Sequence, residues 1–198
     1  MKVITLLGSD FSESCLLLSQ KIDKEYNPDL VIGVLTGGGY VGREIFKTLS
    51  GMPDRKYAEI KIQRPDTKQK ENGLLKLVLK YSPTFLLNWL RMLESVVLEK
   101  KARKHNPKRS GTITIPNDID SFLKENPKNI LLVDDAIDSG ATLNLLKEYL
   151  ESHYDNAAIK IAVITVTTPH PIIDADFCLY HDRVLVRFPW SNDVKKKR

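Results

Sequence analysis

Three carboxylates and a run of small residues crowd into one stretch of this chain: Asp134, Asp135, Asp138, Ser139, Gly140, Ala141 and Thr142. They follow Ile130-Leu131-Leu132-Val133, an apolar run that reads as a strand. Such a strand delivers two adjacent carboxylates to its C-terminal edge, where open α/β sheets place their ligands. The stretch then runs directly into a helical pattern over about 141–153. Small residues let backbone N–H groups approach an anion closely, the two hydroxyls add donors, and the helix N-terminus adds positive potential. Paired carboxylates suit the vicinal hydroxyls of a sugar, or a magnesium ion. Together these groups describe a ligand carrying a diol and a phosphate, such as a ribose 5-phosphate. Helix capping by Asp134 and Asp135 alone would not explain why two carboxylates precede the loop and a third lies within it.

The elements that must position this stretch alternate between two periodicities. Val3–Leu7 is a candidate strand, and Ser9 or Asp10 can cap a helix through about Glu25. Asp29–Leu35 is a continuous apolar run, the pattern of a strand buried on both faces of a parallel sheet. A glycine loop and a helix from about Tyr40 to Leu49 follow, then a strand over Tyr57–Gln63. After the strand at 130–133 come a helix, a strand over Ile159–Thr167, and short strands at Phe177–Tyr180 and Val184–Phe188. Strands alternating with helices predict an α/β fold whose central, mainly parallel sheet is flanked by helices.

Residues 64–117 break the rhythm. Polar, loop-like sequence leads into helical patterns over about 73–81 and 84–104, separated by Ser82-Pro83. The second carries Leu86, Leu90, Leu93 and Val97 on one stripe, with Phe85, Trp89, Met92 and Val96 beside it. So broad an apolar face is expected to pack on the core or on a partner subunit, and a homodimer is the expected assembly. The expected organisation is therefore a single domain, 1–198, containing a helical insertion, 64–117.

Composition narrows the functional classes. A net charge of +5 suits an anionic ligand as well as nucleic acid and decides nothing between them. The basic run over 100–109 has no aromatic platform beside it, so nucleic-acid binding is not expected. Only Cys15 and Cys178 are present, both on core-like segments, which argues against a disulfide framework and for a reducing compartment. The start lacks the pattern of a signal peptide, and no apolar run reaches the length of a membrane span. A cytoplasmic protein without a membrane partner is expected.

The stretch over 130–142 resembles the binding motif of the type I phosphoribosyltransferases, which use phosphoribosyl pyrophosphate; Ala136 stands where a larger aliphatic residue is common. The resemblance implies that Asp134 and Asp135 engage the ribose hydroxyls, directly or through Mg2+ held at Asp135. It implies that Asp138, Ser139, Gly140, Ala141 and Thr142 hold the 5-phosphate, and that Asp138 handles a proton of the base. Two further segments agree. Gly33-Val34-Leu35-Thr36-Gly37-Gly38-Gly39 resembles the family's pyrophosphate loop, with Thr36, Gly37 and Gly38 at its centre and a non-proline cis peptide expected at Thr36–Gly37. Val184-Leu185-Val186-Arg187-Phe188-Pro189-Trp190 resembles the closing strand of the bacterial xanthine–guanine group, which ends in a Pro-Trp pair. There Leu185 and Val186 would form part of a small C-terminal hood over the base, with Phe188 and Trp190 as packing residues.

Two positions depart from the family pattern. Thr36 stands where purine-using members often have Arg or Lys. Thr168, before Pro169, stands where members that read a 6-oxopurine have lysine. Lys61, Arg64, Lys68 and Lys70 are available to charge a mobile loop over the pyrophosphate. The resemblance implies Mg2+-dependent transfer of a phosphoribosyl group from phosphoribosyl pyrophosphate to a purine-like nucleobase in nucleotide salvage, with release of pyrophosphate. The alternative is a regulator that binds phosphoribosyl pyrophosphate without catalysis; the two threonines favour it, and the three aspartates favour the enzyme.

Overall fold

The computed structural model describes residues 2–51, 53–63, 111–125, 127–154, 157–181, 184–191 and 194. The expected helices over 73–81 and 84–104, the basic run over 100–109 and the tail at 195–198 lie outside the described residues.

The sheet that carries the site has five strands. In chain order they are β2 (Leu30–Val34), β3 (Lys56–Ile60), β6 (Asn129–Ile137), β7 (Ala158–Val166) and β8 (Phe177–Tyr180). Their spatial order is β3-β2-β6-β7-β8, and every neighbouring pair is parallel. Parallel strands need crossover connections, and here helices supply most of them. α1 (Ser9–Asp23) precedes β2, α2 (Gly37–Thr48) follows it, α3 (Asn117–Lys124) precedes β6, and α4 (Ala141–His153) joins β6 to β7.

The strands are apolar on both faces because both faces are covered. Val31, Leu131 and Val133 point into a core shared with Phe11, Cys15, Leu18 and Ile22 of α1 and Val41 and Ile45 of α2. Their neighbours Leu30, Ile32, Ile130 and Leu132 point the other way, onto Ile119 and Leu123 of α3 and Leu143, Leu146 and Leu150 of α4. The period-2 alternation of side chains thus divides one apolar run between two cores.

Two small ribbons complete the fold. β1 (Lys2–Thr5) lies outside the main sheet and pairs in parallel with β9 (Val184–Arg187). This ribbon is tied to the sheet by Thr165, whose hydroxyl donates to the Val184 carbonyl at 2.7 Å. The expected strand over Tyr57–Gln63 is divided: β3 stays with β2, while β4 (Ile62–Gln63) pairs antiparallel with β5 (Thr112–Ile113). Ile62 and Gln63 therefore meet Ile113 and Thr112, far along the chain, in a separate ribbon. α3, which the sequence analysis did not predict, opens after Pro116 with Asp118 and Asp120 in its first turn. A proline before a helix start and acids near its N-terminus were the available signals.

Candidate functional site

β2 and β6 are parallel neighbours, with Gly33 opposite Val133, so the loops leaving them lie side by side at one edge of the sheet. Here the strand runs further than expected. β6 continues through Asp134, Asp135 and Ala136 to Ile137, because Asp134, Ala136 and Ile137 still pair with Val163, Thr165 and Val166 of β7. The two carboxylates thus stand on a rigid strand instead of a loop.

Both are half-buried. One oxygen of Asp134 accepts the Asp135 backbone N–H at 2.9 Å, and Asp135 Oδ2 accepts the Trp190 indole N–H at 3.0 Å. Burial, and then the adjoining Asp135 carboxylate, pushes Asp134 well above the usual carboxylate range. Burial raises Asp135 as well. Among the described residues, no ion pair involves Asp134, Asp135 or Asp138. The described residues also form no cluster of three or more acidic, histidine or cysteine side chains able to cage a metal. One or two carboxylates without a full cage are what Mg2+ accepts when substrate oxygens and water complete its shell, so these residues fit it.

Asp138 begins the loop beyond β6. Its side chain is exposed, and it accepts the Thr167 hydroxyl at 2.6 Å. The Ser139 Oγ accepts the Ala141 N–H at 3.4 Å, and the Ser139 carbonyl accepts the Ile172 N–H at 2.9 Å. Gly140 takes the left-handed conformation, φ +77°, immediately before α4, and a Cβ there would also lie 2.9 Å from Ile173 Cγ2. That turn directs Ala141 and Thr142 into the first turn of α4, whose amide groups face the loop.

The glycine loop closes against the aspartates. α2 begins at Gly37, not near Tyr40, so its N-terminus belongs to the site. The cis peptide falls at Leu35–Thr36, one bond earlier than expected, and Gly37 is already helical. Thr36 is exposed. A Cβ on Gly37 would fall on the Asp135 carboxylate, and one on Gly38 would lie 2.7 Å from the Asp134 Cα. Glycine at these positions lets the start of α2 touch the end of β6. Behind the loop, the Tyr57 hydroxyl donates to the Gly39 carbonyl at 2.9 Å and lies 3.0 Å from Glu59 Oε1. Arg43 of α2 holds the same carboxylate, with Nε at 3.1 Å.

The C-terminal ribbon lies on the other side. Thr168 is half-buried beyond β7, next to the Thr167 that binds Asp138. Leu185 is half-buried, whereas Val186 is buried in the α1/α2 core; successive strand residues point to opposite faces. Trp190 does pack, as expected, stacking on Tyr40 and Phe188. Its bond to Asp135 was not anticipated. The available signal was that a half-buried indole needs an acceptor for its N–H. Tyr40, Tyr57 and Thr167 were likewise missed, since nothing in their spacing sets them apart.

One edge of the parallel sheet thus gathers an acid pair, a hydroxyl-bearing loop at a helix start and a facing glycine loop. Residues 15–190 match the family described as the phosphoribosyl transferase domain, and the chain belongs to that family. It has the type I phosphoribosyltransferase fold and is a phosphoribosyltransferase enzyme. No curated protein matches it in sequence. Among solved structures, it is similar to a purine phosphoribosyltransferase from Pyrococcus horikoshii Ot3 at 19% identity and a TM-score of 0.60, over 100% of this chain and 97% of that one. It is similar to the Helicobacter pylori xanthine-guanine-hypoxanthine phosphoribosyltransferase at 16% identity and a TM-score of 0.60, over 96% and 94% of the two chains. A hypothetical protein from Neisseria gonorrhoeae with bound ppGpp aligns at 16% identity and a TM-score of 0.56, over 96% and 89%. At these identities the likenesses speak to the fold.

Proposed function

We propose that the protein transfers the phosphoribosyl group of phosphoribosyl pyrophosphate to a purine-like nucleobase and releases pyrophosphate, in nucleotide salvage. The observation that carries this reading is the meeting of the Asp134–Asp135 pair with the glycine loop, at the edge where α4 presents its N-terminus. Asp134 and Asp135 hold the ribose hydroxyls. Asp138, Ser139, Gly140, Ala141 and Thr142 receive the 5-phosphate. Thr36, Gly37 and Gly38 receive the pyrophosphate at the start of α2.

When bound at Asp135, Mg2+ would supply charge compensation for the pyrophosphate. As the bond to pyrophosphate lengthens, positive charge grows on the ribose ring and negative charge on the departing group. Fixed N–H donors of the two loops and exclusion of water meet those charges without a covalent nucleophile. Asp138, exposed at the mouth and oriented by Thr167, accepts the proton of the base. Thr168 and Leu185 border the base, with the buried Val186 supporting the ribbon beneath. A cytoplasmic setting is consistent with two free, buried cysteines and with the absence, among the described residues, of a helix long and apolar enough to cross a membrane. The apolar stripe over 84–104 supports a homodimer as the proposed assembly.

The test is calorimetric titration of phosphoribosyl pyrophosphate with Mg2+, followed by a pyrophosphate-release screen over purine and pyrimidine bases. Binding with release for one base is the expected result and names the acceptor. Binding without release for any base would favour the regulator. Absence of binding would overturn the reading.

A further inference from the structure

We infer that Trp190 is a positioning residue that sets the Asp135 carboxylate for the sugar-phosphate ligand, an inference that rests on the function proposed above. The indole is held by aromatic neighbours from three segments. It stacks on Tyr40 of α2, with centroids 4.7 Å apart and planes 14° from parallel. It stacks on Phe188, beyond β9, at 4.9 Å and 3°. Phe11 of α1 meets it edge-on at 5.4 Å. A ring fixed in this way has one N–H to offer, and that N–H points at Asp135 Oδ2, 3.0 Å away.

Asp135 is also confined by the backbone of Gly37, where any Cβ would displace the carboxylate. The side chain therefore has little rotamer freedom between the indole and the glycine loop. The choice of donor matters as much as the confinement. A lysine or arginine at this point would neutralise the carboxylate and compete with a ligand cation. A neutral N–H occupies one oxygen and leaves both the charge and the second oxygen available. Tyr40 adds a link, because it stands in the first turn of the helix whose N-terminus forms the glycine loop. Trp190 thus couples the ribbon, the glycine loop and the acid pair at a single ring.

The test uses the full chain and two readouts. Trp190→Phe keeps an aromatic ring and removes the N–H. It is expected to unfold cooperatively near the parent's Tm while its Kd for phosphoribosyl pyrophosphate in Mg2+ rises about tenfold, the scale of one hydrogen bond to a charged group. Should that variant fail to fold, 3-benzothienylalanine at position 190 preserves the indole shape without the N–H and carries the same expectation. The second readout is Trp190 fluorescence in a Trp89→Phe background, which leaves one indole in the chain. Asp135→Asn is expected to change its emission in the ligand-free protein. Parent-like affinity in the variant lacking the N–H, or unchanged emission with Asp135→Asn, would overturn the inference alone. Failure of the parent itself to bind would overturn the functional reading and this inference with it.

Discussion

Asp134 holds its place on β6 at an electrostatic disadvantage that a ligand can relieve: it is half-buried beside a second carboxylate, and no described cation faces it. A carboxyl whose pKa is raised by folding stabilises the fold in its protonated form. That contribution is full below the unfolded-chain pKa and is lost as pH rises through the higher folded value. Asp134→Asn keeps the acceptor for the Asp135 N–H and removes the charge. It is expected to melt roughly 2–4 °C above the parent at pH 7 without ligand, the gain shrinking toward pH 4, while binding of phosphoribosyl pyrophosphate collapses. Thermal melts in chelator check the first part; a lower Tm at pH 7 would contradict it. Asp138 differs because it is exposed and tied to Thr167. Asp138→Asn is expected to cut kcat by about 10²–10⁴, the usual span of general acid–base catalysis, with Kd for the sugar phosphate nearly unchanged. Equal loss in both would remove its proton-handling role.

The glycine loop owes its placement to groups behind it. Tyr57 on β3 reaches the Gly39 carbonyl, and Glu59 joins Tyr57 to Arg43 of α2. Tyr57→Phe is expected to weaken pyrophosphate binding severalfold with little change in Tm, since the ring still packs against Phe46; pyrophosphate titration reads this directly. The Arg43 hydrogen bond holds Glu59 below the usual carboxylate range. A depressed pKa contributes stability above the unfolded value and loses it as pH falls through the folded one. The brace behind the loop should therefore release only in acid, below the ordinary carboxylate range, and amide exchange in the first turn of α2 should rise there before the central strands open. The element pattern itself was largely readable: β2, β6 and β7 announce themselves as apolar runs, and α4 begins at the expected residue. The division of Tyr57–Gln63 between two sheets was not readable, because it depends on pairing with Thr112 and Ile113 far along the chain.

Across the whole molecule, the two loops proposed to receive the ligand follow Val34 and Ile137, far apart in sequence, and meet because β2 and β6 are neighbours. A ligand that bridges them binds the folded chain and not the unfolded one. Phosphoribosyl pyrophosphate with Mg2+ at one hundred times its Kd is expected to add about 2.7 kcal/mol. In a chain of this size that corresponds to roughly 5–10 °C in Tm. Duplex DNA at physiological salt is expected to give no comparable shift, and thermal melts with each additive make the comparison. The two thiols lie in separate cores, Cys15 with α1 and α2 and Cys178 on the other face. Burial, aided by the Glu44 carboxylate, pushes the Cys15 thiol up to about 12, which keeps it inert inside the core.

Local sequence determined the apolar strand at 130–133 that leads into Asp134 and Asp135, the hydroxyl-bearing loop at Ser139–Thr142 and the glycine run at the start of α2. These are short-range facts, set by side-chain period, by backbone freedom at Gly140 and by residue chemistry. What only the tertiary structure decided was which groups meet: Trp190 on Asp135, Thr167 on Asp138, Tyr57 on Gly39, and Val186 turned into the core. The partners in those bonds lie 18 to 55 residues apart. No local pattern specifies them, because strand order and sheet register bring the partners together, and register is fixed by burial of both faces at once.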